Sequence, residues 1–402
     1  MTDTKRSRGE ITNEVKQLLD SIPALIEKTF PIPARFRGKL PSDIAELSRL
    51  LTNRRGDRAL SYLTRPNFLS AYLYYFLPWN LYRLCVLLPT LNLKLSSGDT
   101  ITDIGCGPLT FTLALWIAQP QLRNIPLEIN CIDRSSPALE AGKKIFTALC
   151  NTEKEKNPWK INLIKEDIDF RKTNTARKRK QASLVCAINI FNEVYEKLSH
   201  NNTEGLRHAA ANAALLMHNE ALQDASILTV EPGVPQSGRF VSLLRNELIK
   251  LNRPPASPCT HKTACPFMDG PTKTVKGRNW IDTKKRWCHF AFETNNAPGE
   301  LHRLSAAAKL PKARLVLSFL FTEAKESVKK GEYARVISDA FPLADNRFGR
   351  YGCSPEGLVL ITGERRRIEE LNSYSVVPFT SVHGANEQID KKSGALILEA
   401  GA

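Results

Sequence analysis

The stretch that most narrows what this 402-residue chain can become is Thr100-Ile-Thr-Asp-Ile-Gly-Cys-Gly-Pro-Leu-Thr110. A short β-branched run reaches Asp103, glycines follow at Gly105 and Gly107, and a helical pattern runs from Leu109 to Ala118. Strand, glycine turn and helix in that order make the first unit of a nucleotide-binding α/β fold. The glycines let the backbone come close to a ligand, and the amides at the helix N-terminus face it. The spacing departs from the dinucleotide fingerprint GxGxxG, because Leu109 follows Pro108 and no third glycine comes after it.

From about residue 98 to 252, apolar runs alternate with helical patterns, the mark of a parallel sheet. The second strand, 127–133, ends on Asp133-Arg-Ser-Ser-Pro137. There Ser135 or Ser136 can cap a helix and Pro137 sits in its first turn. A carboxylate at that tip can accept from both ribose hydroxyls, which assigns Asp133 to the adenosyl side of the site. The third strand, 161–164, leads into Glu166-Asp167-Ile168, where an acid can pair with an adenine amino group and the apolar neighbour can cover the ring. The fourth, 183–190, opens into Asn189-Ile-Phe-Asn-Glu193 on the substrate side. The fifth, 226–230, runs into Glu231-Pro-Gly-Val-Pro235, with a helix over 239–252.

The pattern Asp103-Ile-Gly-Cys-Gly resembles motif I of S-adenosylmethionine (SAM) dependent methyltransferases, in which the acid and the glycine backbone hold the methionine part of the ligand. That resemblance makes Asp103, Gly105, Cys106, Gly107, Asp133, Asp167, Ile168 and Asn189 the candidate cofactor-binding residues. The methyl acceptor is not written in the chain. The Asn/Asp-Pro-Pro-aromatic tetrapeptide of amino-methylating enzymes is absent, and Cys186 lies inside a strand rather than in a Pro-Cys pair. Glu193 is a candidate base by location only.

Lys and Arg number 57 against 41 Asp and Glu, a formal net charge of +16. An excess of that size favours a polyanionic partner over a membrane surface, since no strongly amphipathic basic helix stands out. Its densest run is Arg171-Lys-Thr-Asn-Thr-Ala-Arg-Lys-Arg-Lys180, six cations in ten residues without an apolar period, a candidate phosphate contact. The longest apolar stretch, 69–91, is broken by Pro78, Asn80, Arg83 and Pro89, so no membrane span is expected. The N-terminus has no apolar h-region and carries Asp3 and Glu10. With nine cysteines and no signal peptide, the expectation is a reducing cytoplasm, with metal or cluster ligation rather than disulfides.

Residues 1–95 read as helical. Val15, Leu18, Leu19, Ile22, Leu25 and Ile26 recur at helical spacing, and Ser42 is placed to cap a second helix over 42–51. The aromatics between Tyr62 and Tyr82 are expected to pack between this region and the sheet. Four cysteines fall beyond the alternating pattern. Cys259 and Cys265 lie in a proline-rich loop, Cys288 in Trp287-Cys-His-Phe290 and Cys353 in Tyr351-Gly-Cys-Ser-Pro-Glu-Gly357. Four thiolates satisfy tetrahedral zinc or a [4Fe–4S] cluster, with His261 and His289 as alternative ligands. Cys85, Cys131, Cys150 and Cys186 lie in apolar periodic segments and are expected in the core.

Taken in order, several short blocks resemble the methyltransferase-like proteins of the small ribosomal subunit, the mitochondrial small-subunit assembly factors and their bacterial relatives. They are Ala71-Tyr-Leu-Tyr-Tyr with Leu77-Pro78, Asp103-Ile-Gly-Cys-Gly-Pro, Asn192-Glu193, Glu231-Pro-Gly-Val-Pro, Cys259…Cys265-Pro, Trp287-Cys-His-Phe and Cys353-Ser-Pro-Glu-Gly, spread over about residues 40–362. The resemblance implies a class I SAM-dependent methyltransferase (Rossmann-like) α/β sheet, with an N-terminal helical region and a C-terminal four-cysteine metal-binding extension. It also implies a [4Fe–4S] cluster on Cys259, Cys265, Cys288 and Cys353, with zinc as the alternative, and small-subunit rRNA as partner beside ribosomal proteins. No DNA or membrane partner is implied. Two departures stand out. Leu109 replaces a further glycine, where a side chain is expected to crowd the carboxyl end of SAM, and 273–278 is an insertion-like basic segment. The expected layout is 1–95 helical, 96–252 methyltransferase-like, 253–363 cluster region with final strands, and 364–402 a polar, partly disordered tail.

Overall fold

The computed structural model describes residues 11–52, 62–152, 157–170, 179–191, 203–268, 287–323, 333–378 and 388–399. Asn192 and Glu193, most of the basic run 171–180 and the basic insertion 273–278 lie outside the described residues.

The chain opens with helices α1 (Asn13–Thr29), α2 (Ala34–Arg37), α3 (Leu40–Thr52), α4 (Pro66–Ala71) and α5 (Leu77–Leu87). Thr12 caps α1 by accepting the Val15 amide at 3.3 Å, and the apolar positions read from the periodicity form its buried face. Ser42 is not a cap. The helix starts two residues earlier, with Pro41 tolerated in its first turn, and the Ser42 hydroxyl donates to the Lys39 carbonyl at 2.7 Å. A π-helical turn, Tyr72–Phe76, joins α4 to α5, and Phe68, Tyr75, Trp79 and Tyr82 are buried.

Next come β1 (Thr100–Ile104), α6 (Thr110–Ala118), β2 (Glu128–Asp133), α7 (Ser136–Thr152), β3 (Lys160–Lys165), β4 (Ala182–Ile188), α8 (Thr203–Glu220), β5 (Ala221–Pro232), α9 (Pro235–Lys250), β6 (Pro255–Ser257), β7 (Phe290–Glu293), α10 (Gly299–Ala307) and β8 (Arg314–Thr322). Their order across the sheet is β3-β2-β1-β4-β5-β8-β6, with β7 also on β8. The first five strands are parallel, and β8 runs antiparallel to β5, β6 and β7. Five parallel strands in the order 3-2-1-4-5, closed by an antiparallel neighbour, are the class I SAM methyltransferase-like fold. The central strand β1 is buried along its whole length, and its C-terminal end opens at the point where the strand order reverses.

A second, smaller sheet follows, from β9 (Tyr333–Val336), β10 (Phe341–Pro342), β11 (Arg347–Ser354), β12 (Gly357–Glu364), α11 (Arg365–Glu370), β13 (Val376–Pro378) and β14 (Leu396–Glu399). Its order is β13-β9-β11-β12-β14, with β10 on β11. The β9-β11-β12 meander, the helix between β12 and β13, and the parallel β12–β14 pair give it the connectivity of an OB-fold. Residues 364–402 are therefore not simply a polar tail, since their described part supplies a helix and two strands. Val336, Val359, Ile361, Ile368 and Leu398 fill the small core. The outer face of β11 and β12, through which such barrels take oligonucleotides, is covered: Cys353, Leu358 and Leu360 join the main core. Tyr374 seals that contact between Phe290 and Phe319, with centroids at 5.4 and 5.6 Å, and its hydroxyl bonds Ser257 Oγ at 2.6 Å.

Candidate functional site

The turn after β1 is pinned by its neighbour strand. The amides of Gly105 and Cys106 both donate to the Ile132 carbonyl, at 2.8 and 3.0 Å. Gly105 has φ +69°, and a Cβ there would stand 2.2 Å from Ile190 Cδ1, so only glycine fits between the turn and the β4 loop. Leu109 also takes a left-handed conformation, φ 56°, as the N-cap of α6. Its side chain is wholly buried, and its Cδ1 would lie 2.8 Å from a Cβ on Gly142 of α7. It packs into the core rather than toward the ligand face, which corrects the expectation that it crowds the cofactor. Gly142, which stands in no motif, lets α7 approach the Pro108 backbone.

Above the turn lies a cavity of about 220 Å³. Gly105, Cys106, Gly107, Asp133, Asp167, Ile168 and Asn189 all line it, together with Glu166 and Asp169, and Tyr62, Leu63 and Tyr72 reach in from the helical region. Asp133 Oδ2 accepts the Gly107 amide at 2.9 Å and Oδ1 accepts the Ser135 amide at 2.8 Å. Each carboxylate oxygen keeps a second lone pair for a ligand. Burial pushes the Asp133 carboxyl up, while these two amide bonds act against that shift. Ser135 caps α7, its Oγ accepting the Ala138 amide at 3.4 Å.

Asp103 does not line the cavity. Strand register places it in one row with Cys131 of β2 and Cys186 of β4, wholly buried beneath the turn. Cys186 Sγ donates to its Oδ1 at 3.4 Å, and Oδ2 has no hydrogen-bond partner among the described residues. Burial, with Asp133 adding to it, pushes this carboxyl up to about 7. The expected direct hold on the ligand's methionine part is thus replaced by a carboxyl inside the sheet.

At the β4 end of the cavity, Asn189 sits at φ 56° with its Oδ1 accepting from Arg83 at 3.4 Å, and Arg83 also donates to Asn80 Oδ1 at 3.2 Å. Burial brings Arg83 down to about 10. Glu231, wholly buried, accepts the Phe191 amide at 3.0 Å and so holds the start of the β4 loop. Tyr72 is pushed up to about 12 by burial and by the Asp133 charge. Tyr72 lines the cavity without having been expected there; the available signal was its place in the aromatic block that precedes the sheet. Of the basic run, Arg179 is engaged by Glu166 at 3.0 Å and Glu220 at 3.4 Å, and 171–178 lie outside the described residues.

The second candidate site sits where the two sheets meet. Cys259, Cys265, Cys288 and Cys353 line one small cavity with His261 and Arg245. Burial raises the thiols of Cys265, Cys288 and Cys353, and neighbouring cysteines add to it. Thr263 Oγ1 donates to the Pro355 carbonyl at 2.9 Å, so it accepts from His261 Nδ1 at 2.7 Å. That leaves His261 Nε2 as the acceptor facing Cys353 Sγ at 3.3 Å. Burial and the Arg245 charge bring His261 down to about 4, which keeps it neutral. His289 stacks on Trp287 at 4.8 Å and does not line this cavity. Among the described residues, no group of three or more His, Cys, Asp or Glu side chains is drawn together closely enough to hold a metal ion. Cys85, Cys131, Cys150 and Cys186 are buried in the core.

The family model described as mitochondrial small ribosomal subunit Rsm22 matches residues 97–344, more than half of the chain. The chain belongs to the Rsm22 family. The Rsm22 match spans the glycine turn, the part of the cavity lining that the sheet supplies and three of the four cysteines. The family's description is mitochondrial, so the cytoplasmic expectation does not follow from it. Among the described residues, no helix is long and apolar enough to cross a membrane. No curated protein matches the chain.

Solved structures similar to it include a SAM-dependent methyltransferase of Thiobacillus denitrificans in complex with S-adenosyl-L-homocysteine (11% identity, 62% of this chain and 92% of that one, TM-score 0.32). Others are the geranyl diphosphate C-methyltransferase of Streptomyces coelicolor (9%, 71% and 98%, TM-score 0.32) and the cyclopropane synthase MmaA2 of Mycobacterium tuberculosis (10%, 73% and 100%, TM-score 0.30). At these TM-scores the likenesses carry no argument, and the fold assignment rests on the strand order.

Proposed function

We propose that this Rsm22-family chain is an assembly factor of the small ribosomal subunit that binds rRNA through its methyltransferase-like body. The observation that carries the reading is the family match over 97–344, and the +16 net charge supports a nucleic-acid partner. SAM is the proposed ligand of the cavity. An open glycine turn, the Asp133 carboxylate at the tip of β2 and acids at the tip of β3 supply the groups such a ligand needs. Nothing lies within 4 Å of where a Gly107 side chain would begin, so the turn offers its backbone to an occupant.

A [4Fe–4S] cluster on Cys259, Cys265, Cys288 and Cys353 is proposed for the second site. Four thiols from three segments lining one cavity, with a buried guanidinium beside them, are the donor set a thiolate-bound inorganic group takes. Such a group would fasten the barrel, which carries Cys353, to the large sheet, which carries the other three. A thiolate-bound cluster would call for a reducing compartment, and a role in small-subunit assembly for one that houses ribosomes.

Crosslinking the chain to assembling small subunits and sequencing the bound RNA tests the role. Crosslinks concentrated in small-subunit rRNA are expected, and crosslinks scattered over unrelated RNAs contradict it. The open cavity favours active rRNA methylation as a second reading. Transfer of a labelled methyl group from SAM to small-subunit rRNA would establish that enzyme role, and SAM binding without transfer would leave the assembly role alone.

A further inference from the structure

One face of α9 points Gly238, Ser242 and Arg245 at the cysteine junction, at spacings of four and three residues that align them on a single side of the helix. Gly238 meets the third cysteine segment: a Cβ there would stand 2.7 Å from Trp287 Cδ1 and 3.1 Å from the Cys288 carbonyl. Ser242 meets the second, with its Oγ 3.7 Å from Cys265 Sγ. That hydroxyl gives its own proton to the Gly238 carbonyl at 3.0 Å, so the thiol is the donor.

Arg245 is 3% exposed and gathers the proline-rich loop. Its Nε donates to Cys259 Sγ at 3.2 Å, and one terminal nitrogen donates to the carbonyls of His261 at 2.8 Å and Thr263 at 3.0 Å. The other terminal nitrogen is held by Asn246 Oδ1 at 3.0 Å. The guanidinium thus fixes three points of the loop that carries Cys259 and Cys265. A lysine has one nitrogen and no planar fork, so it cannot make this set.

We propose that Arg245 is the positioning residue of the four-cysteine site: it shapes the 259–265 loop before any metal arrives and supplies the fixed positive charge beside the thiolate-bound group. The charge part rests on the cluster reading of the preceding subsection, whereas the loop part stands on the metal-free contacts. A guanidinium beside an anionic cluster stabilises the added electron, so its removal makes reduction harder.

The test compares wild type, Arg245→Met and Arg245→Lys as full chains. In the chelator-stripped proteins, alkylation of Cys259 and Cys265 should be about tenfold faster in both variants, because each loses the fork. After anaerobic reconstitution with iron and sulfide, Arg245→Met should hold its iron roughly 10- to 100-fold more weakly, the range seen when outer-shell partners are removed. Its midpoint potential should move to more negative values, and Arg245→Lys should recover the potential but not the loop protection. Alkylation rates equal to wild type overturn the positioning role. A potential unchanged in Arg245→Met overturns the electrostatic role. A wild type that takes up no iron overturns the cluster reading, while the alkylation rates still decide the positioning one.

Discussion

The two candidate sites are made in opposite ways. The cavity above β1 has a single contiguous turn as its floor and the strand tips of one parallel sheet around it, with Tyr62, Leu63 and Tyr72 of the helical region closing one side. The cysteine junction exists only where two sheets meet, and its four thiols come from segments between residues 259 and 353. A local site tolerates changes elsewhere and is sensitive to single backbone positions. A junction site is sensitive to docking, and docking in turn rests on the junction. Tyr374 between Phe290 and Phe319, and Arg335 donating to the Pro258 carbonyl at 2.7 Å, are the contacts that must survive if the barrel is to stay in place without a bound group.

The largest effect expected from breaking this contrast is at the junction. Cys259→Ser or Cys288→Ser should abolish the brown colour of a reconstituted sample and lower the melting temperature by on the order of 10 °C. Iron analysis with calorimetric melting checks it, and equal stability would show that the barrel docks without the site. At the cavity, Gly105→Ala should weaken SAM binding by about tenfold or more and cost roughly 2 kcal/mol, from left-handed backbone strain and the contact with Ile190. Trimming Ile190 to Ala in the same chain should restore part of both, read by titration calorimetry and denaturant unfolding.

Asp103 gives the pH dependence. Its folded value of about 7 lies above its unfolded value near 3.8, so the folded state binds the extra proton between those limits. Stability from this group is therefore fullest below about pH 4 and is lost as pH rises toward 7. Asp103→Asn should flatten that decline and stabilise the ligand-free chain at pH 8 by up to about 4 kcal/mol, at about 1.4 kcal/mol per pH unit. Denaturant midpoints at pH 5 and 8 measure it, and a decline identical to wild type would remove Asp103 as its source. The smallest effect is Gly107→Ala, about 1 kcal/mol, because φ is +53° but no atom lies within 4 Å of the new methyl.

The same contrast separates what is legible in the sequence from what is not. Strand, turn and helix around Asp103 are contiguous, and the acids at the tips of β2 and β3 fall where alternation alone puts them. Side-chain direction was not legible. Asp103 points into a row of cysteines and Leu109 into α7, because strand pleat and the left-handed cap decide where each leads. The barrel was hidden for a different reason: β13 and β14 are short, and β14 pairs with β12 more than thirty residues earlier. Arg245 carried no motif, since its importance lies in three contacts with a loop 14 to 18 residues away.

Hydrogen exchange on the full chain, before and after anaerobic loading with iron and sulfide, tests the two-site account most directly. Loading should slow exchange in the 254–267 loop and in β9 to β14, and leave β1, β2 and the glycine turn unchanged. Slowing spread evenly over both sheets, or none at the junction, would contradict it.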